Sequence, residues 1–225
     1  RKISIHPMHI LLIQINLIKI IFMTTLDKMV KRSFDIFFAT LGLILLSPII
    51  FLSYIISSFE TKTNGLFFQQ RVGMNGSLFN IVKIKSMRLV AGLDSTITLS
   101  SDARITKSGA FFRKTKIDEL PQLWNVFLGK MSFVGPRPDV SGYADRLQGK
   151  DRVILLVRPG ITGPAQLAYK HEEEILSNQD DPVEYNNEVI WPDKVRINLE
   201  YIENYSFFRD VYYIWKTIIG GNVKY

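Results

Sequence analysis

The chain has 225 residues, of which 47% are hydrophobic and 22% are charged, and this balance excludes both a disordered chain and a polytopic membrane protein. The absence of cysteine excludes disulfides, zinc–thiolate sites and cysteine nucleophiles, and only 3 histidines argue against a histidine-rich metal site. Lysine and arginine number 28 against 21 acidic residues, and the net charge of +7 suits phosphates, nucleic acid or an anionic membrane surface.

Residues 1–28 are interpreted as an N-terminal leader. The apolar run within residues 1–22 is interrupted by polar side chains, so it is too short for a membrane-spanning helix, and no small-residue cleavage site follows it. Met23 then opens a stretch that reads as an ordinary protein start. Two interpretations of residues 1–22 therefore stay open: sequence upstream of the native protein, or a native leader.

The uncharged segment of residues 36–59 is the strongest single feature of the sequence, and its length suffices to cross a bilayer. Ser47-Pro48 lies at its centre. Because proline lacks a backbone N–H, the helix must bend or break there, and the serine hydroxyl can bond to a carbonyl that is left free. Two geometries follow: a kinked helix that spans the membrane, or a re-entrant hairpin that leaves by the face it entered. Residues 29–60 are the predicted membrane-embedded segment.

Residues 61–225 contain no second long uncharged run, so they are predicted to form one catalytic domain on one side of the membrane. Apolar-rich runs on either side of Asn75-Gly76 predict a β-hairpin within residues 66–90. The other predicted elements are a loop at 91–103, a helix at 109–128 interrupted by Pro121, a rigid turn into a short helix at 130–145, a turn at 157–166, a short helix at 171–179 and one helix at 192–219. The aromatic and basic end of the last helix is typical of a helix lying in a membrane interface.

A pair of adjacent carboxylates, Asp118 and Glu119, follows a cluster of cations that includes Arg113. On a helix these carboxylates would point about 100° apart and could serve one site from two angles. An aspartate can bind Mg²⁺ or attack phosphorus, and an arginine can neutralise the oxygens of a phosphoryl group. The alternative is a solvated helix face with local ion pairs, which a bare Asp-Glu pair would favour.

Several other polar motifs indicate a functional role only in combination with the Asp118-Glu119 pair. Arg137 lies between Pro136 and Pro138, which fix its backbone for anion binding, and Arg158 precedes Pro159-Gly160. Lys83 and Lys85 alternate on the predicted strand and so share one face. Gly160 and Gly163 flank Thr162 in a turn that could cradle an anion. Each has a plain structural alternative, such as a surface loop or a solvated strand face.

The motifs in order resemble the bacterial sugar transferase family, the monotopic phosphoglycosyl transferases, over about residues 29–219. The resemblance rests on these stretches: KRSFD at 31–35, FFQQRVG at 67–73, LFNIVKIKSM at 78–87, DARITKSG at 102–109, RKTKIDELPQLWNV at 113–126, MSFVGPRP at 131–138 and RPGITGPAQ at 158–166. The length of the chain resembles the small catalytic form of the family. The resemblance implies an α+β, mainly helical fold with a re-entrant broken membrane helix, a small β-hairpin and interfacial amphipathic helices.

The resemblance also implies a reaction. A phospho-sugar would pass from a UDP-sugar to a polyprenyl phosphate such as undecaprenyl phosphate, yielding UMP and the first lipid-linked intermediate of a capsule, exopolysaccharide or O-antigen. Mg²⁺ would be required, and the domain would face the cytosol from the bacterial inner membrane. It names neither the sugar nor the oligomeric state.

The residue roles implied by the resemblance map onto the motifs above. Asp118 is the expected covalent nucleophile and our candidate magnesium ligand, Glu119 is expected to assist proton handling or attack by the lipid phosphate, and Ser47 and Pro48 form the re-entrant break. The expected substrate-binding residues are Arg113, Arg137, Lys83, Lys85, Arg71, Arg158, Thr162 and Gln166.

Two departures from the family pattern stand out. Lys85 replaces the usual arginine and loses its bidentate fork, and Lys116 adds a cation beside the acidic pair. Two other functions stay open from the residues alone: a membrane-anchored basic module without catalysis, and a glycosyltransferase that moves only the sugar. We expect no nucleic-acid partner, because such a module explains neither the carboxylate pair nor the two arginines next to prolines.

Overall fold

A computed structural model describes residues 23–88, 104–221 and 223 of the chain. Residues 1–22 of the predicted leader at 1–28, and the predicted loop at 91–103, lie outside these residues. The described part is mainly helical, with two small two-stranded sheets, one antiparallel and one parallel. The expected α+β class with a helical majority is therefore confirmed.

Helix α1, Thr25–Thr61, contains the predicted apolar segment. It begins with a capping box, in which Thr24 and Asp27 satisfy each other's backbone N–H groups, and it ends at Lys62 in the left-handed conformation. Within the described part of the chain, α1 is the one helix long and apolar enough to cross a membrane, and an 18-residue window within it has a mean hydropathy of 2.4.

Pro48 lies inside α1, and the helix continues through it instead of ending there. The carbonyl that proline leaves without a donor is that of Ile44, four residues earlier, and the Ser47 hydroxyl donates to it at 2.9 Å. The predicted role of the serine hydroxyl is confirmed. A turn-back of the helix at this point stays a prediction.

The two ends of α1 both pack against the same domain. Near the N-terminal end, Lys31, Asp35 and Ala39 are buried, and near the C-terminal end Ser53, Ser57 and Thr61 are buried. Between them, residues 40–52 contain no buried side chain. The apolar middle of the helix is therefore not buried by the described part of the chain, whereas both ends pack against it through polar and apolar contacts.

The predicted hairpin is confirmed. Strand β1, Leu66–Val72, pairs antiparallel with strand β2, Leu78–Ile84, so that Leu66 lies opposite Ile84 and Val72 opposite Leu78. The turn between them contains Asn75 and Gly76, both with positive φ, of 58° and 76°. Asparagine and glycine tolerate this conformation best, which explains why this pair marked the turn in the sequence.

The predicted interrupted helix at 109–128 is present as three pieces. Helix α2, Lys107–Thr115, is followed by a single 3₁₀ turn, Ile117–Glu119, and by helix α3, Gln122–Phe127. The first interruption falls at Lys116, whose φ of 60° ends α2 before Pro121 is reached. The carboxylate pair therefore lies on a short turn between two helices.

A parallel pair of short strands was missed by the sequence prediction. Strand β3, Ser132–Val134, pairs with strand β4, Gly160–Thr162. The two segments approach so closely that a Cβ added at Gly163 would lie 2.2 Å from the Gly135 carbonyl oxygen, and one added at Gly160 would lie 2.2 Å from the Gly135 nitrogen. We call Gly135, Gly160 and Gly163 the glycine crossing.

The C-terminal half is built from helices. They are α4 Pro164–Ala168, α5 Glu172–Ser177, α6 Pro182–Tyr185, a π-helical turn Asn186–Ile190, α7 Trp191–Glu203 and α8 Phe207–Ile219, with 3₁₀ turns at Ala144–Arg146 and Asp151–Leu156. The predicted short helix at 171–179 is confirmed as α5. The prediction of one helix over 192–219 was wrong, because the chain breaks between Glu203 and Phe207. The short helix expected at the end of residues 130–145 is present only as the 3₁₀ turn Ala144–Arg146.

Helix α8 joins the domain to α1. Asp210 on α8 forms a buried ion pair with Lys31 of α1 and accepts hydrogen bonds from the hydroxyls of Tyr201, at 2.6 Å, and Tyr205, at 3.3 Å. The other face of α8 is apolar and exposed, with Phe208 82% and Ile218 77% accessible. Such an amphipathic helix is compatible with the predicted interfacial position, which stays a prediction.

Candidate active site

Asp118 lies on the 3₁₀ turn between α2 and α3 and is 8% exposed. Its Oδ1 is buried, and no described residue gives it a hydrogen bond. Burial raises the pKa of Asp118, and the neighbouring Glu119 carboxylate adds to this effect. A buried carboxylate oxygen without a hydrogen-bond partner is unusual, and this makes Asp118 a candidate functional residue.

Glu119, the next residue, has the opposite environment. Its Oε1 accepts from Lys83 Nζ at 2.9 Å and from an Arg137 guanidinium nitrogen at 3.4 Å. Burial alone would raise its pKa, but Arg137 and Lys83 outweigh burial and lower the pKa to about 2. The two neighbouring carboxylates therefore have different environments. Lys83 and Arg137 keep Glu119 ionised, whereas Asp118 Oδ1 has no hydrogen-bond partner among the described residues.

Three predicted substrate-binding residues converge here from three segments. Burial lowers the pKa of Lys83, which lies on β2, while Glu119 raises the pKa of Arg137. The Arg137 side chain is 47% exposed, so its outer face can reach a ligand. Arg71 on β1 donates to the Pro138 carbonyl at 3.2 Å, and burial together with Arg137 lowers its pKa. The hairpin and the proline-flanked loop therefore supply a cationic wall beside the acidic pair.

Two other predicted residues make different contacts. Arg113 at the end of α2 pairs with Glu173 of α5 at 3.1 Å, although its charge still acts on Asp118. Lys85 lies just beyond the end of β2, and its Nζ donates to the Thr63 hydroxyl at 2.8 Å. The prediction that Lys83 and Lys85 share one strand face requires both residues to lie on β2. Because β2 ends at Ile84, strand alternation does not place Lys85 on the same face as Lys83.

The remaining predicted residues lie on or near the glycine crossing. Arg158 donates from Nε to the Gly129 carbonyl at 2.9 Å. The Thr162 hydroxyl lies 2.6 Å from the Thr217 hydroxyl on α8. Gln166 donates to the Ile161 carbonyl at 3.0 Å, and its Oε1 is buried without a partner among the described residues. These contacts support the fold around the site, and the substrate roles of these residues stay predictions.

The sequence prediction missed Asp139, which follows Arg137 by two residues. Burial raises the pKa of its carboxyl to about 6, against the opposing effect of Lys194, Arg71 and Arg137. The signal was present in the motif VGPRPD, whose last residue is an acid next to a proline-flanked arginine. The cations that face it come from distant parts of the chain and could not be seen in the motif.

The donor set of the site fits a magnesium ion only in combination with a substrate. No group of three or more His, Cys, Asp or Glu side chains that could hold a metal occurs among the described residues. Asp118 Oδ1 is one hard oxygen ligand without a competing donor. Magnesium is commonly held by one or two carboxylates together with substrate phosphates and water, so this single carboxylate is compatible with it.

Comparison with known sequences identifies the family of the chain. Residues 26–222 match the family described as bacterial sugar transferase, and the chain therefore belongs to that family.

Individual relatives show how far the similarity extends. The chain is 33% identical over 204 residues to the UDP-glucose:undecaprenyl-phosphate glucose-1-phosphate transferase of Escherichia coli, covering 88% of this chain and 41% of the relative. It is 31% identical over 207 residues to the exopolysaccharide production protein ExoY of Rhizobium meliloti, covering 84% of each. It is 39% identical over 122 residues to a putative undecaprenyl-phosphate N-acetylgalactosaminyl 1-phosphate transferase of Bacillus subtilis, covering 54% of this chain and 68% of the relative. The chain spans about two fifths of the Escherichia coli relative.

Proposed function

We propose that the chain is a phosphoglycosyl transferase that moves a sugar phosphate from a UDP-sugar to polyprenyl phosphate, releasing UMP. The carrying observation is the pairing of an unpartnered buried carboxylate, Asp118, with a carboxylate that Lys83 and Arg137 hold ionised. Two relatives are named as sugar 1-phosphate transferases with undecaprenyl phosphate in their names, and this supports the same reaction class. The product would begin a bacterial surface glycan such as a capsule, an exopolysaccharide or the O-antigen of lipopolysaccharide.

In the first step, Asp118 would attack the phosphorus that carries the sugar. A bond forms between the carboxylate oxygen and phosphorus, the bond from phosphorus to the bridging oxygen breaks, and UMP leaves with that oxygen and its electron pair. Arg137, with an exposed outer face, and Arg71 would neutralise the diphosphate. Among the described residues, no hydrogen bond to Asp118 Oδ1 would have to break before that oxygen attacks.

In the second step, an oxygen of polyprenyl phosphate attacks the same phosphorus, the bond to Asp118 breaks, and the carboxylate is restored. A pKa of about 2 keeps Glu119 ionised at neutral pH. The family resemblance implies that Glu119 assists either proton handling or attack by the lipid phosphate. Because it stays ionised, we assign it the task of orienting Lys83 and Arg137 for that attack, and not proton handling. Magnesium, with Asp118 as its protein ligand, would supply further neutralisation of the donor diphosphate when bound.

The contacts of α1 support a re-entrant membrane segment. Arg32, near the N-terminal end, donates to the Val126 and Phe127 carbonyls at 2.7 Å, while Ser57, near the C-terminal end, donates to the Gly65 carbonyl at 3.3 Å. A single folded domain cannot lie on both sides of a bilayer. If the apolar middle of α1 enters the membrane, its two ends must leave by the same face. We place that face on the cytosolic side of the inner membrane, where UDP-sugars are made.

The test is nucleotide release by the purified full chain in lipid nanodiscs with undecaprenyl phosphate, Mg²⁺ and a panel of UDP-sugars. Sustained UMP release that requires both a UDP-sugar and undecaprenyl phosphate is the expected result. Release of UDP would instead identify a transferase that moves the sugar alone. Failure to release either nucleotide, together with salt-sensitive binding of nucleic acid, would favour the basic module.

A further inference from the structure

Asp35 on α1 holds strand β3 by two hydrogen bonds. The residue is 1% exposed, and its Oδ1 accepts from the Ser132 hydroxyl and from the Phe133 backbone N–H, both at 3.1 Å. Ser132 is also buried, so its hydroxyl depends on a partner within the protein. Strand β3 ends at Val134, three residues before Arg137. Asp35 therefore fixes the start of the segment that carries Arg137.

Arg32 holds the other side of the candidate active site. It lies on the same helix as Asp35, about one turn earlier. Its guanidinium donates to two backbone carbonyls at the end of α3, both at 2.7 Å. Helix α3 begins three residues after Glu119. One helix therefore holds both the segment that follows Glu119 and the segment that precedes Arg137.

The loop between β3 and Arg137 has little freedom of its own. The Gly135 N–H donates to the Thr162 carbonyl at 3.0 Å, and the Gly160 N–H donates to the Pro136 carbonyl at 2.8 Å. Prolines on both sides of Arg137 restrict its backbone further. A shift of β3 would therefore move the Arg137 side chain as well.

We propose that Arg32 and Asp35 are positioning residues, and that Asp35 acts through β3 to hold Arg137 against Glu119 and thereby raises the affinity for the diphosphate of a nucleotide-sugar donor. This inference rests on the proposed function of the same site. The proposed membrane helix then supports the active site as well as anchoring the chain. The contact of Arg137 with Glu119 is already 3.4 Å long, so a displacement of about 1 Å opens it.

The experiment measures the binding of UDP, which carries the diphosphate common to all UDP-sugars, to the full chain in lipid nanodiscs with Mg²⁺. Asp35→Ala removes both bonds to β3 and should raise the dissociation constant roughly tenfold, the scale of one hydrogen bond to a charged group. Asp35→Asn keeps an acceptor oxygen for both donors and should retain the parent's dissociation constant. Asp35→Ala combined with Arg137→Ala should bind UDP no more weakly than Arg137→Ala alone, because Asp35 acts through that arginine.

Tyr201→Phe is the control for a loss of stability alone. It removes the 2.6 Å bond from the Tyr201 hydroxyl to Asp210 and leaves both bonds of Asp35 in place. It should lower Tm by about 2–4 °C and leave the dissociation constant unchanged. If Asp35→Ala does not fold, Asp35→Leu replaces it, since leucine fills the site with a branched side chain that offers no acceptor.

A folded Asp35→Ala or Asp35→Leu protein with the parent's dissociation constant would overturn the inference. So would binding by Asp35→Asn as weak as that of Asp35→Ala, or a double variant that binds more weakly than Arg137→Ala. Failure of both Asp35→Ala and Asp35→Leu to fold would also overturn it, because Asp35 would then hold the whole fold and not the loop.

A parent protein that binds no UDP would instead overturn the proposed function, and a measurement without ligand then decides the role of Asp35. Arg137→Ala should lower the Tm of the parent by about 2–4 °C through loss of its contact with Glu119. It should leave the Tm of the Asp35→Ala protein unchanged, because that contact is already open there. An equal drop in both backgrounds would show that Asp35 does not position Arg137.

Discussion

At the scale of single residues, the contrast between Asp118 and Glu119 sets the chemistry. We expect Asp118→Asn to lower UMP release by at least about 10³-fold, because an amide cannot form the covalent bond to phosphorus. The substitution is nearly isosteric, and Oδ1 has no hydrogen bond among the described residues that would be lost. UMP release by the purified protein is the measurement.

The matched control for this variant is Asp180→Asn, an exposed aspartate away from the site. It should keep the full rate. Asp118→Asn should unfold at or above the parent's temperature, because it removes a charge that burial and Glu119 disfavour, and Asp180→Asn should unfold at the parent's temperature. Both proteins should be recovered equally in the membrane fraction. Near-normal UMP release by Asp118→Asn would remove the nucleophile assignment.

Glu119 should instead matter for stability and give it a pH dependence. Its folded pKa of about 2 lies below the ordinary value of 4.5, so its contribution is complete above pH 4.5 and is lost as the pH falls toward 2. Glu119→Gln leaves Lys83 and Arg137 without their carboxylate and should lower the free energy of unfolding by about 1–3 kcal/mol at pH 7.

Thermal unfolding of both proteins between pH 7 and pH 3 is the measurement for Glu119. The gap in Tm should be widest at pH 7 and shrink below pH 4.5. A gap that stays constant down to pH 3 would mean that the carboxylate charge does not stabilise the fold.

The sequence identified the cations that lie at the site, Lys83, Arg71 and Arg137, but it did not identify which acidic groups they face. Arg137 was predictable because prolines on both sides fix its backbone. Arg113 stands closer in sequence to Asp118, yet its guanidinium is taken by Glu173, a residue on another helix. Asp139 was missed because its raised pKa arises from burial, which a motif does not reveal.

At the scale of elements, the glycine crossing holds the Arg137 loop against β4. Gly163 has an extended backbone, with φ of 176°, so alanine is not strained there by its own conformation. Its Cβ would, however, meet the Gly135 carbonyl oxygen at 2.2 Å. We expect Gly163→Ala to lower stability by about 1–3 kcal/mol and to raise the donor KM by moving Arg137.

Gly221→Ala is the comparison for this variant, since its added Cβ would meet side-chain atoms and not backbone: the flexible end of Lys216 at 2.7 Å and Ile219 Cδ1 at 3.5 Å. That protein should retain the parent's Tm and KM. Equal values in Gly163→Ala would show that the crossing does not fix the loop.

Local elements were easier to predict than distant pairings. The hairpin followed from Asn75-Gly76, because its turn and register lie within one stretch of sequence. Strands β3 and β4 are three residues each and pair across a long connection, so no local pattern marks them. The break between α7 and α8 had a local signal in Asn204 and Ser206, residue types common at helix ends, which the long apolar periodicity obscured.

At the scale of the whole molecule, the packing of α1 opposes a membrane-spanning arrangement. A straight helix from Arg32 to Ser57 would be about 37 Å long, enough to carry its ends to opposite faces of a bilayer. Spanning would separate Lys31 from Asp210 and leave both charges without partners, at a cost of about 3–5 kcal/mol. It would also remove both bonds of the Arg32 guanidinium.

Cysteine labelling can decide the topology, because the chain has no native cysteine. We would place one cysteine at Lys28 and, in a second protein, one at Asn64, both exposed positions at the two ends of α1. A membrane-impermeant maleimide should label neither cysteine in intact cells. It should label both after permeabilisation, which would show that the thiols are reactive.

Pro48→Ala restores a backbone donor to the Ile44 carbonyl and should favour a straight helix, so labelling at position 28 should rise in that background. Labelling at position 28 alone in the Pro48 protein would mean that α1 spans the membrane and that the re-entrant arrangement is wrong.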